Sequence, residues 1–419
     1  MAETVLYRAR HVFPVTAEPI ADGAVVVEGG HILAVDDAAI LRERYPRARS
    51  VDLGEVALFP AAINAHTHLE LTGLAGAIPT GLDMASWIVA LLRARAALTV
   101  DDLARAAADG VAMLRASGTA AVGEICTAGA SVRPIVESGL RGVVYYELLS
   151  GDPARAAETL ERGQQQLQRW HQEYPGASVR FGLSLHAPYT VSAPLFRQTS
   201  EWCRGEGVPL CIHVAESPAE TQWLRDHTGP IADTLYATLG IPTDLEPAPG
   251  RSPVAYLDGL GVLRARPLLA HGVQVDRDDL GRLARADCAV AHCPRSNARL
   301  LCGRMPYGAY RQVGVRLALG TDSLASSDSL SVWEEAAVAW SLHARDGDVS
   351  RPADWLRLAT QGGAEALGLA DDLGSLTEGK FAALARAPLT GLSEVERRDA
   401  DLVLLALVEG RISVSALPE

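Results

Sequence analysis

Between about residue 60 and residue 365 the chain repeats one pattern. An Ala-, Leu- and Arg-rich stretch long enough for a helix is followed by a short β-branched run. DDLARAAADGVAMLRASG precedes TAAVGEI, VRPIVESG precedes LRGVVYYELL, ARAAETLERGQQQLQRWHQE precedes ASVRFGLSLH, and APLFRQTSEWCRGEG precedes VPLCIHVAE. RPLLAHG, CAVAHCP and VRLALGTDS follow, with helical segments between them. Strands that alternate with helices pair in parallel, because each helix carries the chain back to where the next strand begins. Counted from VALFPAAINAH there are roughly eight such units in about 300 residues, the size of a (β/α)8 barrel. A doubly wound sheet is the alternative fold. It requires a Gly-rich phosphate turn after the first strand, and the sequence has none there.

The two ends differ from the middle. VLYRARHVF, GAVVVEGGHILAVD and SVDLGEVALF are β-rich and broken by Gly and Asp turns, and the tail reads as strands again in FAALAR and DLVLLALVEGRISV. The expected organisation is a small β-sandwich built from residues 1–58 with 367–419, and a catalytic barrel over 59–366. The stretch 240–255, GIPTDLEPAPGRSPVA, reads as a surface loop.

Active sites of such barrels sit where the strands end. The first strand ends in His66 and His68, a later one in His186, and the next in His213 with Glu216 behind it. His271, His292 and Asp322 close the last three. Six of the eleven histidines therefore fall at strand ends. Any one of them alone would be an ordinary core or cap residue, as His11, His171 and His343 are read to be. Two residues apart on a strand, His66 and His68 point the same way. Two imidazoles can then converge on one ion, and with His213 and Asp322 the donor set suits zinc, with ferrous iron as the alternative.

Composition removes several function classes. The net charge is −13 with no Lys/Arg-rich run, which argues against a nucleic-acid partner. No apolar run approaches the ~20 residues that span a bilayer, and MAETVLYRARHVF lacks a signal-peptide core, so no membrane is expected and the cytoplasm is the expected compartment. Six cysteines without a CxxC pair read as free, mostly buried thiols. Lys380 is the single lysine of the chain. A homodimer is compatible with all of this.

INAHTHLE, LHAPYTVS, HVAE, LAHGV, HCPRSN and GTDSLAS, in this order over essentially the whole chain, resemble the amidohydrolase superfamily. Within it they resemble the deaminase branch, which acts on S-adenosylhomocysteine, methylthioadenosine, guanine and aminodeoxyfutalosine and includes chlorohydrolase-like members. The late GSLTEGKFAALA also matches, with Ala383 where an aspartate often stands. Many superfamily members bridge two metals with a carboxylated lysine on the fourth strand; with Lys380 as the only lysine, a single-metal site is implied. The resemblance implies ligands His66, His68, His213 and Asp322, with Asp322 also acting as base. It implies Glu216, in an HxxE pattern, as the acid that protonates a ring nitrogen. His271 is implied either to hydrogen-bond the attacking hydroxide or to ligate the metal, and His292 to play a supporting part. His186 and Ser326 are implied to contact substrate, and Asp328 to be a loop or cap residue.

Trp87, in DMASWIVALLRAR, stands where the branch's nucleoside deaminases carry a tryptophan. The ribose-binding glutamate that usually follows in the S-adenosylhomocysteine and methylthioadenosine enzymes is absent; Arg93, Arg95 and Ala96 occupy that region. The HTHLE run with SWIVALLRAR instead resembles aminodeoxyfutalosine deaminases of a menaquinone route. Their substrate is an adenine nucleoside extended to a benzoate, which an arginine holds well. Arg95, or Arg93, is implied as that arginine, with Glu70 in the same pocket. The alternatives are another adenine nucleoside, or a chlorohydrolase-type reaction on a different nitrogen heterocycle.

Overall fold

The computed structural model describes residues 2–240, 250–345 and 350–417. The chain forms two compact units, residues 1–64 with 113–121 and 331–419, and residues 65–112 with 122–330. Eight parallel strands lie side by side in chain order. They are β1 (Ala62–Thr67), β2 (Thr119–Cys126), β3 (Arg141–Leu148), β4 (Val179–Leu185), β5 (Leu210–Val214), β6 (Leu268–His271), β7 (Ala289–His292) and β8 (Arg316–Leu319). Just past β8, Thr321 and Asp322 both donate their backbone N–H to the His66 carbonyl at 3.0 Å, and Asp322 bridges Thr67. The last strand thus meets the first, and the sheet closes as a (β/α)8 barrel.

The β5, β6 and β7 segments LCIHV, LLAH and AVAH are buried at every position. That is the mark of parallel strands covered on both faces, and it explains why they read as unbroken apolar runs. The register keeps the strand ends level: Val214 lies opposite His271, and His292 opposite Leu319.

The chain ends build two further sheets. One runs in the order His31–Asp37, Gly23–Glu28, Thr4–Arg8, Arg49–Asp52. The other runs Ser415–Ala416, Leu384–Pro388, Val56–Pro60, His11–Val12, Ile20–Ala21, so tail strands pair directly with N-terminal ones. Leu58, Val12, Val25, Ile32 and Leu384 share one buried cluster in this unit.

Three local readings are corrected. VALFPAAINAH is two strands, because Pro60 has no N–H to continue the ladder; Val56–Pro60 joins the five-stranded sheet and Ala62 starts the barrel. DLVLLALV is a helix, Ala400–Val408, whose first N–H groups at Asp401 and Leu402 are capped by the Asp399 carboxylate at 2.9 and 3.2 Å. A uniformly apolar run has no period to betray it, and Leu and Ala favour the helix once an N-cap is in place. AAILRER, inside the β-rich N-terminal region, is likewise a helix, Ala38–Arg44, capped by Asp37. Of the stretch 240–255, residues 241–249 lie outside the described residues, and Pro253 opens a helix to Gly259. Among the described residues no helix is long and apolar enough to cross a membrane.

Gly320 carries the closing turn from β8 towards Asp322. A Cβ there would stand 2.8 Å from His66 Cβ and 3.0 Å from the His66 backbone N and O. Gly320→Ala should therefore cost ~1–3 kcal/mol, the usual penalty of overpacking, read as a lower midpoint in chemical denaturation. An unchanged midpoint would show that the closure tolerates the extra carbon.

Candidate active site

Each strand end delivers one or two polar side chains to the barrel mouth. From β1 come His66, fully buried, and His68, with rings 5.0 Å apart and edge to face. His213 arrives from β5, His271 from β6 and Asp322 from the turn after β8. His68 Nε2 lies 3.2 Å from His213 Nε2 and 3.5 Å from Asp322 Oδ1, and His66 Nε2 lies 3.8 Å from the same oxygen. A tetrahedral ion with bonds of ~2.0–2.2 Å spaces its donors ~3.3–3.6 Å apart, so these three separations are close to those within a ligand set. His271 completes a second trio with His66 and His213, and another with Glu216 and Asp322.

The outer edges of the rings are fixed. His213 Nδ1 bonds the His186 carbonyl at 2.9 Å, and His271 Nδ1 bonds Asn297 Oδ1 at 2.9 Å. With Nδ1 as donor in both, each ring offers its Nε2 lone pair inward. Asp322 Oδ2 accepts from Ser296 at 2.6 Å and from Ser326 at 2.9 Å, leaving Oδ1 for the centre. Both His271 and Asp322 sit in the left-handed region, φ 74° and 56°, a strain of ~1–3 kcal/mol each that aims them inward.

Burial sets the charges. It pushes the imidazoles of His66, His68, His213 and His271 below their ordinary range, and that of His186 to about 4, so the rings are neutral donors at neutral pH. Burial acts to raise the Asp322 carboxyl, but attraction to the imidazoles once these take up protons, and the Ser296 hydrogen bond, outweigh it and bring Asp322 to about 2, so it is ionised at neutral pH. Glu216 goes the other way: burial, and then the neighbouring Asp322 carboxylate, raise it well above the carboxylate range. Its Oε1 lies 3.4 Å from His271 Nε2. Glu216 is held by its own backbone. Ala215 turns at φ 51°, and the N–H groups of Ala215 and Glu216 both bond the buried Glu220 carboxylate, at 3.1 and 2.8 Å.

A cavity of about 460 Å³ opens onto these groups. Its inner wall carries His68, Glu147, His186, His213, Glu216 and Asp322. Trp87 lines it and is pinned by Nε1–H to the Ala325 carbonyl at 3.3 Å. The outer wall is apolar, and Leu92, Leu149 and Leu239 are 42%, 44% and 47% exposed around its mouth. Among the described residues, Arg95 is the one cationic side chain lining the cavity. It donates to Thr127 Oγ1 at 2.5 Å and lies 3.7 Å from Glu70. Glu70 Oε2 accepts from Thr127 N–H and O–H and Ala128 N–H, and Oε1 from Ala130 N–H.

Some expected placements change. Arg93 is exposed and does not line the cavity; the helix Met84–Arg95 turns Arg95 inward instead. Ser326, expected against substrate, is fully buried and bonds Asp322, while Ser323 meets the cavity. Asp328 pairs with Arg295 at 2.8 Å. His292 is buried, and its carbonyl accepts from Gly320 N–H at 3.0 Å. All six cysteines are free and buried. Glu147, Asn297, Ser296 and Glu220 were not singled out from the sequence. Glu147 ends VVYYEL and obeys the same strand-end rule as the histidines, and Ser217-x-x-Glu220 is a capping-box signature.

A model of the amidohydrolase family matches residues 57–396. The chain belongs to that family. A second model, an imidazolonepropionase-like composite domain of bacteria, matches residues 23–48. The aminodeoxyfutalosine deaminase of Deinococcus radiodurans is 40% identical to this amidohydrolase over 83% of the chain and 81% of the relative. A 5-methylthioadenosine/S-adenosylhomocysteine deaminase of Archaeoglobus fulgidus is 30% identical over 80% of the chain and 77% of the relative. The crystal structure of an adenosine deaminase from Xanthomonas campestris with bound zinc superposes with a TM-score of 0.79 at 27% identity, over 98% of this chain and 89% of that one. This amidohydrolase is a hydrolase acting on carbon–nitrogen bonds.

Elemental analysis of the protein purified with zinc should give close to one ion per chain, and His68→Ala with Asp322→Ala should abolish it. A reproducible value near two, or full retention by the double variant, would contradict a single site built on these donors.

Proposed function

We propose that this amidohydrolase is a single-metal adenine-nucleoside deaminase that prefers aminodeoxyfutalosine. The observation that carries the substrate is the cavity itself: an apolar outer wall with one guanidinium, Arg95, and a polar inner wall of histidines and carboxyl groups. Glu70 is already engaged by four donors, so the Arg95–Glu70 pair suits a carboxylate better than the ammonium group of an amino-acid tail. That favours an aryl carboxylate over S-adenosylhomocysteine. The 40% identical relative is named for the same substrate.

His66, His68, His213 and Asp322 would hold the ion, zinc by the nitrogen–oxygen donor set. Such an ion lowers the pKa of water so that a hydroxide is available near neutral pH. The remaining chemistry is the chain's own. Glu216, kept protonated by its burial, gives its proton to the ring nitrogen beside the amino-bearing carbon and makes that carbon electrophilic. Asp322 takes the proton of the attacking water, and His271 Nε2 orients that water by accepting a hydrogen bond. The carbon becomes tetrahedral, the proton passes from Asp322 to the departing amine, ammonia leaves, and the remaining hydroxyl proton returns to Glu216 as the carbonyl forms. Two carboxyl groups thus carry opposite duties because their surroundings drive their pKa values apart. Trp87 and His186 wall the ring.

Glu216→Gln should keep the metal and the fold while lowering kcat by ~10²–10⁴-fold, the usual contribution of a positioned acid. A near-normal rate would remove Glu216 from the proton path. Arg95→Met should lower kcat/KM for aminodeoxyfutalosine by ~10-fold or more, the value of a charge-assisted pair, and leave adenosine nearly unchanged. Arg93→Met should affect neither. Equal effects of Arg95→Met on both substrates would show that the carboxylate is read elsewhere.

A further inference from the structure

Glu147, the last residue but one of β3, lines the cavity and has no part in the chemistry above. Its side chain is only 6% exposed, and its Oε1 accepts no hydrogen bond. A buried acceptor left dry forfeits its hydration and gains nothing in return. The groups around it are engaged elsewhere. His213 Nδ1, 3.9 Å from Oε1, is bonded to the His186 carbonyl, and His186 Nδ1 is bonded to Thr190 Oγ1 at 2.6 Å. The Arg95 Nη2 is spent on Thr127. A ligand that fills the cavity can supply the donor that Glu147 Oε1 lacks.

The order of strands says which part of a ligand reaches it. Glu216 and His271, on β5 and β6, mark where the amino group leaves. Going round the barrel, His186 on β4 comes next, then Glu147 on β3, with Arg95 and Leu149 on the same wall. A nucleoside with its amino-bearing carbon at Glu216 and its 5′ substituent at Arg95 lays its sugar across the end of β3. A second cation is disfavoured there, since the Arg95 guanidinium lines the same cavity. Sugar hydroxyls are neutral donors. We propose that Glu147 is a specificity-determining residue that accepts a hydrogen bond from a sugar hydroxyl, so that the site takes ribonucleosides over deoxynucleosides. This rests on the adenine-nucleoside reading, and it gives the sugar a carboxyl partner on β3 where the helix at residues 84–95 offers none.

The test compares kcat/KM for adenosine, 2′-deoxyadenosine and 3′-deoxyadenosine in the metal-loaded enzyme and in Glu147→Ala and Glu147→Gln. The unaltered enzyme should disfavour at least one deoxynucleoside by ~10–100-fold, the value of one hydrogen bond to a buried polar group. Glu147→Ala should bring that ratio to about threefold or less by weakening the ribonucleoside, chiefly in KM, while the deoxynucleoside rate and the metal content hold. Glu147→Gln, which keeps a carbonyl acceptor, should retain part of the ratio. Turnover of all three substrates within about threefold by the unaltered enzyme would overturn the proposal. So would an equal loss on all three in Glu147→Ala, the signature of a merely structural role. If Glu147→Ala does not accumulate folded, Glu147→Gln decides on the same grounds. No turnover of any adenine nucleoside, aminodeoxyfutalosine included, would end the deaminase reading and this proposal with it; unselective turnover would end this proposal alone.

Discussion

Everything at the barrel mouth depends on keeping five buried imidazoles uncharged beside one carboxylate that stays ionised. Water would leave the rings of His66, His68, His186, His213 and His271 near the midpoint of their titration; burial drives them neutral. Asp322, close to three of them and bonded by two serines, remains negative. A buried negative charge among inward-facing lone pairs is expensive without a counter-ion. The cluster is therefore built for a cation. The hydrogen bonds that hold it, from the His186 carbonyl and Asn297, lie outside the donors and act by fixing which nitrogen faces in.

The same burial divides labour between the two carboxyl groups. Asp322 and Glu216 both face His271, yet the first is stabilised as an anion and the second as an acid. Glu216 lacks the serine donors of Asp322, and its like-charged neighbour disfavours ionisation further. The backbone grip of Glu220 on Ala215 and Glu216 keeps that acid in place without touching its carboxyl group. Positioning is thus supplied by the strand-to-helix turn, and reactivity by what surrounds the tip.

Much of this is visible in the sequence because a parallel barrel writes its site in one-dimensional code. Strands covered on both faces are unbroken apolar runs, so a polar residue at the end of one stands out; His66, His68, His186, His213 and His271 are found that way. The rule falters where the polar residue is flanked by aromatic and aliphatic residues on both sides, and Glu147 in VVYYELL is passed over as a consequence. Uniform hydrophobicity also hides the helix at 400–408, where only the Asp399 cap distinguishes helix from strand. Which of Arg93 and Arg95 turns inward is a matter of helix phase against a wall that the sequence does not locate. Ser326 shows a further limit. Its position in the GTDSLAS loop is legible, but whether its hydroxyl meets a ligand or Asp322 depends on how tightly the turn after β8 folds back, which the close approach at Gly320 sets.

The central claim is that four donors from β1, β5 and the turn after β8 converge on one ion. Anomalous diffraction from zinc-loaded crystals, measured on both sides of the zinc edge, tests it directly. The account predicts a single peak within ~2.0–2.3 Å of nitrogens on His66, His68 and His213 and an oxygen of Asp322. A second peak of equal height in the same cavity, or a single peak bound away from these four side chains, would contradict it.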